Sequence, residues 1–448
     1  MSYQSALEKL RDLGMHGMVA ARDGIAVAEA AVKPYSLDKP HTLNSLTKSF
    51  VSVAVGFCVQ EGLLSLDDKA LSFFPGRLPC RPCENMEKIT VRHLLMMATG
   101  HTKEPYFWPT EQEPLDSFLR SYVDAEPGSV FLYNTAGSHL LGYIVEKVSG
   151  VSVEEYLRPR LLEPLGITEW VWEKQPDGAC KTGVGLHLST RDIAKFGNFL
   201  LFEGSYGGKQ LIGKEWIREA VSKKIMQPGD PDTEWTSGYG YQFWINRREN
   251  SYRADGAFGQ FCIVIPCRRL VIAMNSGSQD MGAMLDVIFE ELVPALDRDF
   301  PYETELTAPL PEGEPDFPLK TYTLHPNALG WEKISFEENR VCHLSVENSD
   351  IQYWGKYGVG EWKSEGECTG HIDAVTVSAV ALAAGAGVSK SGFSLLRILH
   401  TREPYVIDLY VKRFENFVLL GYERNVNFCG VHRVFMFGTE EVCGDAID

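Results

Sequence analysis

Ser45 and Lys48 stand three positions apart in Ser45-Leu46-Thr47-Lys48, directly before an apolar stretch over residues 50–59. That stretch is apolar nearly all round, which predicts a helix buried in the centre of a large domain, with Gly62 as its C-cap. Positions i and i+3 share one helical face, so the lysine is delivered beside the serine hydroxyl. A serine at a helix N-terminus meets free N–H groups and the positive end of the helix dipole, which favour negative charge. A lysine desolvated against an apolar helix loses proton affinity and can serve as a base. The chemistry open to such a pair is attack by an activated serine oxygen. An N-cap serine followed by a solvated lysine gives the same spacing, so the pair needs company before it means catalysis. The chain carries its own control. Ser36-Leu37-Asp38-Lys39 has identical spacing but lies between Pro34 and Pro40, where no helix is expected, and reads as a turn.

Two further groups offer that company. Tyr133-Asn134-Thr135 follows Pro127-Gly128-Ser129 and precedes a helical pattern from Ser138. A tyrosine at such a junction can share a proton with a lysine and relay it to a leaving group, or it can be a buried structural residue. Ala254-Asp255-Gly256 opens a strand with small residues that let the backbone approach a ligand closely. The N–H of Ala257, with that of Ser45, can form an oxyanion hole; an ordinary glycine-rich strand entry is the alternative. The aromatics Tyr106, Phe107, Trp108, Tyr241 and Trp244 can wall an acyl pocket or simply fill a core. His93, His101, His139 and His187 form no rival triad. The chain has neither a Gly-x-Ser-x-Gly elbow nor a His-Glu-x-x-His zinc site. The only tight cysteine pair, Cys80-Arg81-Pro82-Cys83, has no second pair to complete a zinc ribbon. No metal and no cofactor is expected.

The elements that must hold these residues come from hydrophobic period and turn chemistry. An amphipathic start leads to a strand at residues 17–21, and Asp23-Gly24 turns the chain into a second strand over 25–31. Helical patterns follow at 91–98, 138–148, 191–202 and 214–223, then a hairpin of strands 259–265 and 270–275, then a helix over 280–296. Strands at both ends with helices between predict an α+β domain over residues 1–297 whose sheet joins its termini. Residues 298–318, rich in proline and acids, read as a linker. Beyond them helical periodicity gives way to short alternating runs, such as 405–412 and 417–422, so residues 319–448 predict a small all-β barrel or sandwich.

Composition bounds the partners. Across 448 residues, 44% are hydrophobic and 23% charged, which are globular values. A net charge of −17 repels phosphate backbones, so nucleic acid is excluded as a partner class. No run of about 20 apolar residues is present for a membrane span. The first ten residues lack the apolar core of a secretory leader, and ten scattered cysteines fit free thiols in a reducing compartment, so a cytoplasmic location is expected. A homo-oligomer remains open.

Taken together, the Ser45/Lys48, Tyr133 and Ala254-Asp255-Gly256 groups resemble the serine β-lactamase and penicillin-binding-protein superfamily, closest to its class C and esterase-like branch. The resemblance covers roughly residues 10–297. It extends to scaffold phrases such as Leu63-Leu64-Ser65-Leu66-Asp67-Asp68 and Val91-Arg92-His93-Leu94-Leu95-Met96-Met97-Ala98-Thr99-Gly100. It implies that Ser45 is the nucleophile, Lys48 its base and Tyr133 the proton relay. It implies an oxyanion hole from Ser45 and Ala257, and substrate contacts from Asn134, Thr135, Ala254, Asp255 and Gly256. Two departures matter. The family's asparagine two residues after the tyrosine is Thr135 here, with Asn134 displaced by one. The third motif, Lys-Thr-Gly or His-x-Gly in the family, is Ala254-Asp255-Gly256, so its cation is missing. An exact Lys181-Thr182-Gly183 stands too early in the chain and reads as a decoy. Without that cation a substrate carboxylate is poorly bound. The resemblance therefore implies a serine hydrolase for a neutral small-molecule ester, amide or peptide-like substrate. A β-lactamase or D-amino-acid peptidase, an acyltransferase, and a penicillin-binding sensor with weak turnover are the alternatives.

Overall fold

A computed structural model of the chain describes residues 2–78, 81–105, 114–298, 303–346, 352–364, 366–372, 375–415, 417–426 and 433–440. The chain divides into two compact units. One comprises residues 1–31, 37–276 and 280–304; the other comprises 32–36, 277–279 and 305–448.

The first unit is α+β, as its order of strand and helix patterns predicts. Helix α1 (Tyr3–Asp12) leads into β1 (Met15–Arg22) and β2 (Ile25–Lys33). The turn between them holds Asp23 at φ +55° and Gly24 at φ +83°, the two left-handed residues that a two-residue hairpin of this twist requires. The long helices are α2 (Thr47–Gln60), α3 (Thr135–Ser149) and α4 (Thr190–Leu201). The later strands are β3 (Trp244–Ile245), β4 (Tyr252–Gly256), β5 (Gln260–Ile265) and β6 (Leu270–Ser276). Six strands neighbour one another in the order β2-β1-β6-β5-β4-β3. The sheet joins the two ends of the unit: β1 lies antiparallel to β6, with Met18 opposite Met274.

Helix α2 is buried from Thr47 to Cys58 on every face, which explains why its sequence shows no polar stripe. It is longer than the 50–59 stretch, because small and polar residues at its start are buried with it. It ends where expected, with Gly62 at φ +71° just past the C-cap. The predicted helix over 280–296 is an α–π–α run, with a π turn at Ile288–Leu292.

The second unit is a closed barrel of ten strands from Thr321–Leu324 to Arg433–Glu440, sealed where Tyr322 pairs with Glu440. Alternation predicted an all-β barrel or sandwich, and the barrel is what forms: Ile407, Leu409 and Val411 point into the core with Val418, Leu420 and Tyr422. Among the described residues, no helix is long and apolar enough to cross a membrane. The described cysteines 58, 83, 180, 262, 267 and 342 are free thiols; Cys80, and the aromatics Tyr106, Phe107 and Trp108, lie outside the described residues.

Candidate active site

Ser45 does not begin the helix directly. It sits in a 3₁₀ turn, Asn44–Leu46, that feeds α2. Asn44 holds φ +48° and donates from Nδ2 to the Ala257 carbonyl at 3.1 Å. Asparagine tolerates this left-handed conformation better than most residues. The contact ties the Ser45 turn to the end of β4.

Lys48 Nζ donates to Ser45 Oγ at 2.9 Å and to the Gly183 carbonyl at 2.8 Å. Its side chain is 1% exposed. Burial brings its pKa down from 10.5 to about 7, against the opposing pull of Glu104 and Asp255. At neutral pH a large share of Lys48 is therefore uncharged, with a lone pair near a serine hydroxyl. Tyr133 completes the cluster. Its hydroxyl bonds to Ser45, and burial, with Asp255 and Glu104 adding to it, keeps the phenol protonated. Lys48 Nζ lies 5.0 Å from the Tyr133 ring centre. That ring stacks on Trp244 at 5.6 Å and meets Tyr239 edge-on.

Asn134 and Thr135 follow Tyr133 into α3. Asn134 is fully buried, and its side-chain oxygen caps the helix by accepting from the Gly137 N–H at 2.9 Å. Its amide donates to Thr99 Oγ1 at 3.4 Å. The Thr135 N–H donates to Glu104 Oε1 at 2.6 Å.

The third group lies where its strand position places it. Gly256 ends β4 against the Ser45 turn: a Cβ there would stand 2.0 Å from the Leu43 carbonyl oxygen and 3.0 Å from the Leu46 nitrogen. Only glycine allows that approach. Ala257 is half-buried, and Phe258 after it holds φ +67°. A bulky residue in the left-handed region marks local strain. Asn44 before Ser45 and Phe258 after Ala257 thus flank both amides of interest with left-handed backbone.

Strand alternation puts Arg253 and Asp255 on one face, and Arg253 Nε donates to Asp255 Oδ2 at 2.8 Å. Arg253 is 0% exposed, donates to the Glu234 carbonyl and to Asn246, and lies over the Trp235 and Trp244 rings. Asp255 also bonds Trp235; burial raises its pKa while Arg253 lowers it.

Several residues escaped the sequence reading. Lys181-Thr182-Gly183 was set aside for its place in the chain; the Lys181 ammonium pairs with Glu173 at 2.8 Å. The Gly183 carbonyl, however, holds Lys48. A Cβ on Gly183 would strike Thr135 and His139, and a Cβ on Gly142 in α3 would strike Thr182 at 2.3 Å. The exact triplet was a visible signal; the fold bringing it to α2 was not. Gln242 gave no signal. Its carbonyl accepts from Ser49 Oγ at 2.7 Å, its Oε1 accepts from Ser138 Oγ at 2.7 Å, and its Nε2 donates to Leu95 O at 2.9 Å. It clamps α2 to α3. Tyr241, offered as a pocket wall, packs in the core beside Trp216, with its hydroxyl accepting from Arg92.

A family model described as Beta-lactamase matches residues 4–289. Monacolin J acid methylbutanoyltransferase of Aspergillus terreus is 26% identical, over 36% of this chain and 45% of its own. Lovastatin esterase of Penicillium rubens is 28% identical, over 31% of this chain and 40% of its own. The chain thus spans less than half the length of either fungal relative. The octameric penicillin-binding protein homologue from Pyrococcus abyssi superposes with a TM-score of 0.54 at 20% identity, over 97% of this chain and 99% of that one, which establishes likeness of fold.

Proposed function

The chain belongs to the beta-lactamase family, and from that premise we propose that it is a serine hydrolase of small-molecule esters or amides, esterase-like rather than a true β-lactamase. The observation that carries this reading is the buried Lys48 ammonium at 2.9 Å from Ser45 Oγ, with a pKa brought down to about 7. Ser45 Oγ attacks the substrate carbonyl as its proton passes to Lys48 Nζ. The Ser45 and Ala257 N–H groups receive the oxyanion. As the tetrahedral intermediate collapses, the bond to the leaving oxygen or nitrogen breaks, and Tyr133 relays the proton from Lys48 to that group. Water then attacks the acyl-Ser45 carbonyl, giving up a proton to the same relay; the acyl–Oγ bond breaks, the relay returns that proton to Ser45 Oγ, and the acid leaves. Asn134 acts by positioning Tyr133 through its helix cap. Thr135, Ala254, Asp255 and Gly256 border the acyl donor.

Acyl transfer to an alcohol or amine in place of water is the second reading, favoured by the similarity to a methylbutanoyltransferase. The test uses p-nitrophenyl acetate and butyrate with wild type and Ser45→Ala, a chromogenic cephalosporin alongside, and intact-mass detection of the acyl adduct. Ester turnover and the adduct are expected to vanish in Ser45→Ala, with the cephalosporin left intact throughout. Equal inactivity of both proteins on every ester, without an adduct, overturns the hydrolase reading. Added acceptors that yield new esters or amides shift it to transfer.

A further inference from the structure

Lys48 is aimed by a glycine. Its Nζ donates to Ser45 Oγ at 2.9 Å and to the Gly183 carbonyl at 2.8 Å. Glycine has no Cβ to restrict its backbone, so the direction of that carbonyl has to be held from outside. Helix α3 does the holding. Thr135, Ser138, His139 and Gly142 stand at i, i+3, i+4 and i+7 and form one stripe along the helix. Residues 182 and 183 lie on that stripe. Thr182 Oγ1 donates to the Ser138 carbonyl at 3.2 Å and fills the space a Cβ on Gly142 would take. A Cβ on Gly183 would stand 2.7 Å from Thr135 Cγ2 and 2.8 Å from His139 Nε2. The Gly183 N–H donates to His139 Nδ1 at 3.4 Å.

His139 is 1% exposed. A second donor, Gln175 Nε2, lies 3.3 Å from the same Nδ1. Both are N–H groups and can only donate, so Nδ1 carries the lone pair and the ring proton sits on Nε2. An imidazolium would instead point an N–H at two donors. Burial opposes that charged form, and the charges of Lys48 and Lys181 oppose it further, which brings the His139 pKa down to about 3. The ring is therefore a neutral acceptor wherever Lys48 works as a base.

We propose that His139 is a positioning residue for Lys48: its Nδ1 accepts the Gly183 N–H and so fixes the direction of the Gly183 carbonyl, which aims the Lys48 amine at Ser45. This rests on the hydrolase reading above and adds to it a residue that acts through the Gly183 loop.

The experiment compares two substitutions in the full chain with p-nitrophenyl acetate. His139→Leu fills the space but offers no acceptor, which leaves the buried Gly183 N–H without its partner. It is expected to lower kcat roughly tenfold, with KM held within about twofold, because the lysine is misplaced and the acyl pocket is not. The Gly183 carbonyl favours the ammonium form of Lys48, so loosening it should also move the acid limb of kcat/KM to lower pH, by roughly half a unit. His139→Asn puts an oxygen where Nδ1 stands and is expected to keep kcat within about threefold of wild type. Nitrogen-15 NMR of the imidazoles supplies a reading on the wild-type protein, with the His139 signal assigned by its loss in His139→Asn. It should show the neutral Nε2–H form unchanged from pH 8 to 5.5. Wild-type kcat and acid limb in His139→Leu overturn the inference and leave the hydrolase reading intact, as does an asparagine variant that loses as much kcat as the leucine one. A proton on Nδ1 in that pH range overturns it even where His139→Leu fails to fold. Absence of Ser45-dependent turnover in wild type overturns both readings.

Discussion

Lys48 meets two opposing demands. It must be buried to become a base, and burial of its charged form costs stability. Its folded pKa, about 7, lies below the ordinary 10.5. Between those values the unfolded chain binds the proton and the folded chain does not, so unfolding takes up a proton and stability rises with pH across that window. Below about pH 7 the penalty is present in full. Lys48→Met removes it, so the melting temperature of the variant relative to wild type should fall steadily as pH is raised from about 7 to 10, measured by calorimetry. A constant difference across that range would contradict the buried, depressed lysine. The same titration governs activity. kcat/KM for a neutral ester should rise with pH through an acid limb near 7, as Lys48 loses its proton. Asp255 holds the Lys48 pKa up, so Asp255→Asn should move that limb to lower pH. A limb that stays in place would remove Lys48 as the titrating base.

At the scale of elements, the site is a junction of the Ser45 turn, the start of α3, the Gly183 loop and the end of β4. Close backbone approach makes the junction. Gly256 illustrates the constraint, because a methyl group there would press on the Leu43 carbonyl, a backbone atom that no rotamer change can move aside. Gly256→Ala is expected to cost about 1–3 kcal/mol of stability. It should reduce acylation of Ser45 by more than the melting shift accounts for, since it displaces the turn that carries the serine. Denaturant unfolding together with pre-steady-state acylation rates checks this. Wild-type acylation in a destabilised variant would show that the β4–turn contact is structural alone. Period and turn chemistry made most of these elements legible beforehand. The β1–β2 hairpin, the β5–β6 hairpin and the all-apolar helix came from Asp23-Gly24, residues 266–269 and residues 50–59. The 3₁₀ turn at Asn44–Leu46 was not legible, because it depends on Asn44 reaching the Ala257 carbonyl, a contact between residues 213 positions apart.

For the whole molecule, the relevant property is its acidity. A net charge of −17 gives a field that draws in cations and holds off anions over distances set by ionic strength. At about 0.15 M salt the screening length is near 8 Å, and at 0.01 M near 30 Å. The kcat/KM of a cationic ester should therefore fall several-fold between those salt concentrations, that of an anionic ester should rise, and that of a neutral ester should stay level. Stopped-flow or steady-state assays across a salt series test this. A salt response shared by all three esters would point to a general effect on the protein instead.

The sequence alone determined the order of elements, the α+β unit followed by an all-β unit, and the grouping of Ser45, Lys48, Tyr133 and Ala254-Asp255-Gly256 as the residues worth attention. Each of these rests on local period, turn chemistry or short spacing, which neighbouring residues encode directly. Tertiary structure decided what the side chains do at long range. It turned Lys181 to Glu173 while giving the Gly183 carbonyl to Lys48. It paired Arg253 with Asp255, spent Asn134 on a helix cap, set Gln242 between two helices, and fixed Glu104 on the Thr135 N–H. Hydrogen-bond partners, burial and charge balance are properties of which distant segments meet, and only the folded chain brings those segments together.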